Sequence, residues 1–312
     1  MKRGEAALRR LGLLALQGLC LLVRVSPLSL SLAVGRRLGD LARIVSPRRR
    51  AVALKNLKIA FGDELTESAR RRIVQAAFRH FGMFVVESMA FAYEPSDRLT
   101  RRLTVDPRID AAIDRATEAR RGCIVVTAHL GCFELPGRHF AARGHRVIVV
   151  SRAARDEGTT KLMTALRERQ GLQVVVARGA PKALFDGLRR NAIVGIVCDQ
   201  NSEDTRLPFF GHPAGTATGP ARIARRTRSP ILVIVCPRDG HGRYRAEYVG
   251  EIDPTPSEDE EADIARIMTE VNRLIETAVR KHPEQWLWFH DRWRAPRQSA
   301  APQPSAPLRE GE

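Results

Sequence analysis

The 312-residue chain is short of aromatic residues, of lysine and of long apolar runs, and each shortage excludes something. Phe, Trp and Tyr make up only 5% of it, which speaks against the stacking platforms of single-strand nucleic-acid binders. Only six of the 52 basic residues are lysines (Lys2, Lys55, Lys58, Lys161, Lys182, Lys281), so arginine carries the formal charge of +17. Guanidinium is always protonated and grips phosphate in a planar fork, which fits phosphorylated partners or an anionic membrane, as well as a simple GC-rich coding bias. The five cysteines (Cys20, Cys123, Cys132, Cys198, Cys236) are odd in number and contain no C-x-x-C pair. That argues against a disulfide framework and a zinc site and fits a reducing compartment. Eight scattered histidines add no zinc spacing. There is no G-x-S-x-G elbow, no G-x-x-x-x-G-K-[ST] loop, and no G-x-G-x-x-G after the first buried strand, so α/β-hydrolase, P-loop and dinucleotide-binding readings lose support. The longest N-terminal apolar run, Leu11 to Val23, has 13 residues, where a spanning helix wants about 20.

What is present is globular in character. Hydrophobic residues at 44% and charged residues at 28% are values of a folded protein, and the length suits one large or two ordinary domains. The N-terminus reads basic, apolar, basic: Lys2, Arg3, Arg9 and Arg10 precede the Leu11 run, Arg24 interrupts it, and Val25 to Val34 leads into Arg36 and Arg37. With snorkelling arginines this makes a marginal span or an interfacial helix. A signal peptide has the same charged start, but Arg24 and Pro27 stand where a cleavage site belongs. Residues 1–45 therefore read as an uncleaved helical membrane anchor with the body cytoplasmic, the alternative being a helix of the globular body. After Pro296 the chain turns to Pro, Ala, Ser, Gln and Arg, so 296–312 reads as a disordered tail and 46–295 as the working domain.

The body begins helically. Thr66-Glu67-Ser68 caps a helix in which Ile73, Ala77, Phe81 and Val85 recur every four residues, and Ile113 marks a shorter helix before Gly122. Five β-branched runs without alternation follow: Cys123 to Ala128, Val147 to Val150, Leu172 to Ala177, Ile193 to Cys198 and Ile231 to Cys236. Such runs suit strands covered on both faces. Helical stretches at Thr160 to Gln170, Pro181 to Arg190 and Pro220 to Arg228 separate them, which predicts an α/β fold with a mostly parallel central sheet flanked by helices. Tyr244 to Val249 alternates and reads as an edge strand, and Asp259 to Lys281 reads as a long amphipathic helix presenting Ile264, Ile267, Val271, Leu274 and Ile275.

The first buried strand ends in Thr127-Ala128-His129-Leu130-Gly131-Cys132-Phe133-Glu134. Ligands in open α/β sheets bind beyond the carboxyl ends of strands. His129, followed five residues later by Glu134 across a turn that Gly131 permits, has the makings of a general base whose carboxylate fixes the tautomer and stabilises the imidazolium. An ordinary loop histidine is the bland reading. With no nucleophile elbow, phosphate loop or metal cluster, the chemistry left to such a base is deprotonation of a substrate hydroxyl.

His129 to Glu134 resembles the H-x-x-x-x-[DE] block of glycerolipid acyltransferases, and its context is most similar to the bacterial lipid A biosynthesis (lauroyl/myristoyl) acyltransferase family. Four further blocks agree in order: Asn56-Leu57, Phe61 and Glu87; Val150-Ser151-Arg152; Cys198-Asp199-Gln200-Asn201 with Pro208-Phe209-Phe210-Gly211 and Thr216 to Arg222; and His282 to Arg294. The resemblance runs from about residue 10 to residue 295, with Cys132 and Phe133 where the family commonly has Asn and Trp, and Arg152-Ala153 where it has Arg-Pro. It implies a glycerolipid-acyltransferase-like fold and a membrane-associated O-acyltransferase at the cytoplasmic face of the inner membrane. The acyl chain would pass from a thioester, on acyl carrier protein or CoA, to a hydroxyl of a lipid A precursor or related membrane lipid. His129 would take the hydroxyl proton with Glu134 behind it, and backbone N–H groups of Gly131 to Glu134 would hold the oxyanion. No acyl-enzyme, metal or cofactor is implied, the thioester being a co-substrate. Arg152 would hold a phosphate of the acceptor or of the donor's pantetheine arm, or else pair with Asp156 or Glu157. Asp199 and Gln200 would organise the site from a neighbouring strand end, or simply cap a loop. Arg292 would face lipid phosphate, and Trp286, Trp288 and Trp293 would form an interfacial belt or pack a C-terminal segment. Arg222, Arg225, Arg226 and Arg228 would meet anionic head groups or an acidic carrier, or be a solvated helix face. An inactive lipid-binding relative is the alternative; a nucleic-acid binder, prompted by the charge, lacks any stacking motif.

Overall fold

The computed structural model describes residues 2–295 except positions 155, 178, 179 and 241, so the expected tail at 296–312 lies outside the described residues. Four helices open the chain, α1 (Lys2–Val25), α2 (Leu28–Val45), α3 (Pro47–Phe61) and α4 (Glu67–Phe91), and a short α5 (Ser96–Thr100) follows. Then come β1 (Leu103–Val105), α6 (Pro107–Glu118), β2 (Cys123–Thr127), α7 (Leu135–Ala142), β3 (Val147–Ser151), α8 (Glu157–Glu168), β4 (Leu172–Val176), α9 (Ala180–Arg189) and β5 (Ile193–Val197). A hairpin of β6 (Thr205–Phe209) and β7 (His212–Thr216) precedes α10 (Gly219–Thr227), β8 (Ile231–Val235), β9 (Tyr244–Ile252) and α11 (Glu260–Lys281). Seven strands form one sheet in the order β1-β9-β8-β2-β5-β3-β4. Only β8 and β9 run antiparallel in it.

The absence of alternation in the strands follows from cover on both faces. Ile124 and Val126 of β2 join the core made with α3, α4, α9, α10 and α11, whereas Cys123 and Val125 point into the core made with α6 and α7. In α11, Ile264, Ile267, Val271, Leu274 and Ile275 are all buried, as their spacing predicts. The Thr66 side chain caps α4 by accepting the Ala69 N–H. The buried face of α4 is Val74, Ala77, Phe78, Val86 and Met89, which keeps Ala77 of the expected line but otherwise lies a position or so from Ile73, Phe81 and Val85, because α1, α2 and α3 all lie against it.

Two expectations are corrected. Tyr244 to Ile252 is not an edge strand: β1, only three residues long, pairs parallel with it and takes the edge. Nor does the N-terminus form a spanning anchor, since no helix among the described residues is long and apolar enough to cross a membrane. The chain bends between Val25 and Leu28, at Pro27, and α1 folds back so that Cys20 and Val23 pack with Val86 and Met89 of α4 and Leu166 of α8. In α2 the pair Gly35 and Gly39 meets Gly82 of α4 so closely that a Cβ at Gly39 would run into the Phe78 carbonyl oxygen. The outer faces of this helical pair stay apolar. Apart from Phe81 and Val176, every exposed large hydrophobic side chain among the described residues belongs to α1 or α2.

Gly39→Val should therefore force α2 off α4 and lower stability by roughly 1–3 kcal/mol, the ordinary cost of overpacking. Gly18→Ala, in α1 with nothing within 4 Å of its added methyl, should leave stability unchanged or raise it. Urea unfolding of the detergent-solubilised proteins measures both, and equal midpoints would show that the α2–α4 contact is not close-packed.

Candidate active site

β2 and β5 are parallel neighbours whose last residues pair, Thr127 with Val197, so the residues two further on leave the sheet side by side. Those residues are His129 and Asp199. The His129 backbone N–H donates to Asp199 Oδ2 at 2.8 Å, and its Nδ1 lies 2.7 Å from Asp199 Oδ1. Trp286 Nε1 donates to Oδ2 at 2.7 Å. Burial alone would raise the pKa of Asp199, but the charge and N–H donors of His129 and the Trp286 indole bring it down to about 2. An ionised carboxylate has no proton to offer, so Nδ1 must carry one and donate it, which in the neutral imidazole leaves Nε2 as the acceptor nitrogen. The Gln200 amide donates to that Nε2 at 3.4 Å.

The carboxylate expected behind His129 was Glu134, and this pairing is not what the structure holds. Glu134 Oε1 accepts from Arg167 Nε at 3.0 Å and Nη2 at 2.6 Å. The reason lies in the turn between them. Gly131, at φ +66°, tucks under Cys236 so tightly that a Cβ would strike the Cys236 carbonyl oxygen. Asp199 meanwhile arrives beside the imidazole through strand pairing, 70 residues away in sequence.

The same turn narrows the oxyanion donors. Gly131 N–H is taken by Gln285 O at 3.1 Å and Cys132 N–H by Cys236 O at 2.7 Å. Phe133 and Glu134, whose N–H groups have no acceptor among the described residues, line the cavity with His129. Beneath the turn lies a buried network. Arg238 donates through Nε to Glu87 Oε1 at 2.9 Å and through Nη1 to His80 Nδ1, and its backbone N–H donates to Gln285 Oε1 at 2.7 Å. The Tyr244 hydroxyl also donates to Glu87. Burial pushes the His80 pKa well below its ordinary value.

A cavity of about 360 Å³ opens under His129. Its mouth carries His129, Glu134, Ser151, Arg152, Arg167 and Gln200, and its depth is apolar, walled by Val125, Phe140, Val149, Leu172, Ile193 and Ile234. Arg152 and Gln200 thus sit at the mouth as expected from the strand ends, Arg152 exposed. Arg167, which holds both Glu134 and Ser151 Oγ (3.1 Å), carries no sequence signal that singles it out among 46 arginines, since 52 basic residues less six lysines leaves that number.

Arg292 does not face lipid. It is 1% exposed beneath β7, donating to the Gly215 carbonyl and to Thr216 Oγ1 (3.3 Å) with its guanidinium 5.0 Å from the Phe209 ring centroid, and burial lowers its pKa to about 10. Trp286, Trp288 and Trp293 are buried too, so they pack the C-terminal segment and form no interfacial belt. Of the α10 arginines, Arg222 pairs with Glu260 and Glu261, and Arg225 with Asp263. The five cysteines are buried free thiols; burial drives the Cys198 pKa up to about 12 and raises those of Cys123, Cys132 and Cys236 as well, which removes these four as nucleophiles at neutral pH.

The oriented imidazole thus stands at the mouth of an apolar cavity, and the family that the chain matches makes the protein an O-acyltransferase. The family model described as bacterial lipid A biosynthesis acyltransferase matches residues 4–295, and the chain belongs to that family. It is similar to the lipid A biosynthesis palmitoleoyltransferase of Escherichia coli (strain K12), 25% identical over 266 residues covering 84% of each chain. The lauroyltransferase of the same organism is 27% identical over 284 residues, 89% of each. A phosphatidylinositol mannoside acyltransferase of Mycobacterium tuberculosis is 23% identical over 189 residues, 59% of this chain and 58% of its own.

His290 gives this region a pH signature. Its Nε2 accepts the Asn201 N–H at 3.1 Å, and burial lowers its pKa from 6.5 to about 4. The unfolded chain therefore takes up a proton that the folded chain refuses, so stability is full above pH 6.5 and falls as pH drops toward 4. Between pH 7.5 and 5 this one group should remove about 2 kcal/mol of unfolding free energy. His290→Gln should show that much less loss over the same interval in urea titrations; an identical pH dependence would mean that the imidazole is accessible to protons in the fold.

Proposed function

We propose that the protein transfers a fatty acyl chain from a thioester, on acyl carrier protein or CoA, to a hydroxyl of a lipid A precursor or related membrane lipid. The reaction takes place at the cytoplasmic face of the inner membrane. The observation that carries this reading is the His129 Nε2 lone pair, fixed by Asp199, at the mouth of an apolar cavity. The acceptor hydroxyl approaches Nε2, its oxygen attacks the thioester carbonyl, and its proton passes to the imidazole. Asp199 stabilises the resulting imidazolium. The tetrahedral oxyanion is met by the N–H groups of Phe133 and Glu134, and collapse expels the thiolate, which recovers the proton from His129. Thiolate leaves readily, so no acyl-enzyme is needed. Glu134 acts here by holding Arg167 at the mouth, where Arg167 and Arg152 supply guanidinium forks for phosphate on either substrate. The acyl chain occupies the apolar depth. The apolar outer faces of α1 and α2, together with the arginines between them, support attachment to the membrane surface.

His129→Ala should lower kcat by about 10² to 10⁴ with the fold intact. Asp199→Asn should come close to it, since the tautomer is then no longer fixed, and Glu134→Gln should cost less than either. Rates on acyl carrier protein and a lipid A precursor in detergent test this, and full activity of the His129 variant would end the proposal. Chain length has its own test. A Cβ on Gly195, in mid-β5 on the cavity wall, would lie 3.2 Å from Val149 Cγ1. Gly195→Val should shift preference toward shorter acyl donors, read by mass spectrometry of products from mixed donors.

A further inference from the structure

At the elbow between α1 and α2 lies a second cavity, of about 710 Å³, which shares no residue with the reaction cavity. Arg24, Arg98 and Arg102 project into its lining together with Ser26, Ser29 and Tyr93, and its single acid is Glu94. Glu94 is already engaged by Arg102 Nε at 2.8 Å. Arg24, 5.2 Å above the Tyr93 ring, and Arg98 have no ion pair among the described residues. Next to the lining residues in sequence, the adjoining helix ends expose apolar side chains: Leu21, Leu22 and Val25 in the last turns of α1 and Leu30 in the first turn of α2.

We propose that this cavity binds the phosphodiester headgroup of an anionic glycerophospholipid, with the lipid's chains lying along the leucine rim. Resting on the membrane reading above, it adds a lipid site separate from the one where chemistry occurs. The charge argues for it: two guanidiniums without an ion pair among the described residues line one cavity, and each planar fork matches two phosphate oxygens. So does the setting, since a headgroup held there leaves its acyl chains beside side chains already exposed to the apolar phase. Each basic residue near an anionic surface contributes about 1 kcal/mol, or roughly fivefold, so loss of two should weaken binding roughly 30-fold.

The test uses the full chain, vesicles of phosphatidylcholine with and without phosphatidylglycerol, and co-sedimentation. Wild type should prefer anionic vesicles. Arg24→Gln/Arg98→Gln should lose most of that preference while keeping its affinity for neutral vesicles and its acyl-transfer rate in detergent. Arg10→Gln/Arg36→Gln, an equal charge change on α1 and α2 at positions that do not line the cavity, should lose far less; an equal loss would mean diffuse attraction and overturn the site. Inorganic phosphate titrated calorimetrically is the other arm. Phosphate binding that disappears in the Arg24/Arg98 variant, without any preference for anionic vesicles, would assign the cavity to a soluble phosphate and overturn the lipid assignment. Failure of wild type to bind any vesicle would overturn both this site and the membrane reading, whereas binding without anionic preference overturns the site alone.

Discussion

Everything at the reaction edge depends on one buried carboxylate accepting three N–H groups. Taking a carboxylate out of water costs several kcal/mol, and Asp199 offsets this with donors from a backbone amide, an imidazole and an indole. A hydrogen bond to a charged group contributes about 1.5–3 kcal/mol, so the account closes only when all three are made. Those donors come from the end of β2 and from a segment 87 residues beyond Asp199. The interaction that orients His129 is thus also a clasp between distant parts of the chain. A buried anion needs its partners and a histidine tautomer needs something to fix it; one arrangement does both.

The arginine excess takes on a different meaning once its members are placed. Arg292 packs under β7, Arg138 donates to the Phe91 and Glu94 carbonyls, and Arg238 is paired with Glu87 in the core. Others neutralise the acidic start of α11. Much of the charge that composition assigns to a partner is therefore spent inside the protein, on carbonyls and carboxylates that need a multi-pronged donor. Arg152 at the cavity mouth and Arg24 and Arg98 at the α1–α2 elbow stand outside these pairings, and such placement carries more information than the total of +17.

How much could be read beforehand follows from the range of each interaction. The five buried strands were legible to within about a residue because cover on both faces writes itself as an unbroken β-branched run. Thr66 and Asp259 were legible as helix starts because a cap acts over three residues. His129 stood out because its strand and its turn are adjacent to it. Its partner did not, because strand pairing brought Asp199 to it while the nearer Glu134 was claimed by Arg167. The three-residue β1 leaves no periodic trace, which is why β9 read as an edge. A short apolar run flanked by arginines is equally compatible with a lipid-spanning rod and with a helix folded on its own protein. Cys20 and Val23 pack the run onto α4 and α8, and Gly35, Gly39 and Gly82 seat the helix after it, through contacts that no hydropathy pattern encodes.

The stretch from Pro283 to Arg294 follows every described strand in the sequence, yet it supplies the indole for Asp199 and the carbonyl that receives Gly131 N–H. A ribosome releases the sheet before it releases this stretch. A nascent chain halted in between would have a nearly complete scaffold and an Asp199 carboxylate short of its indole donor. Synthesis itself thus postpones the last of the three donors to Asp199 until the whole sheet has been made.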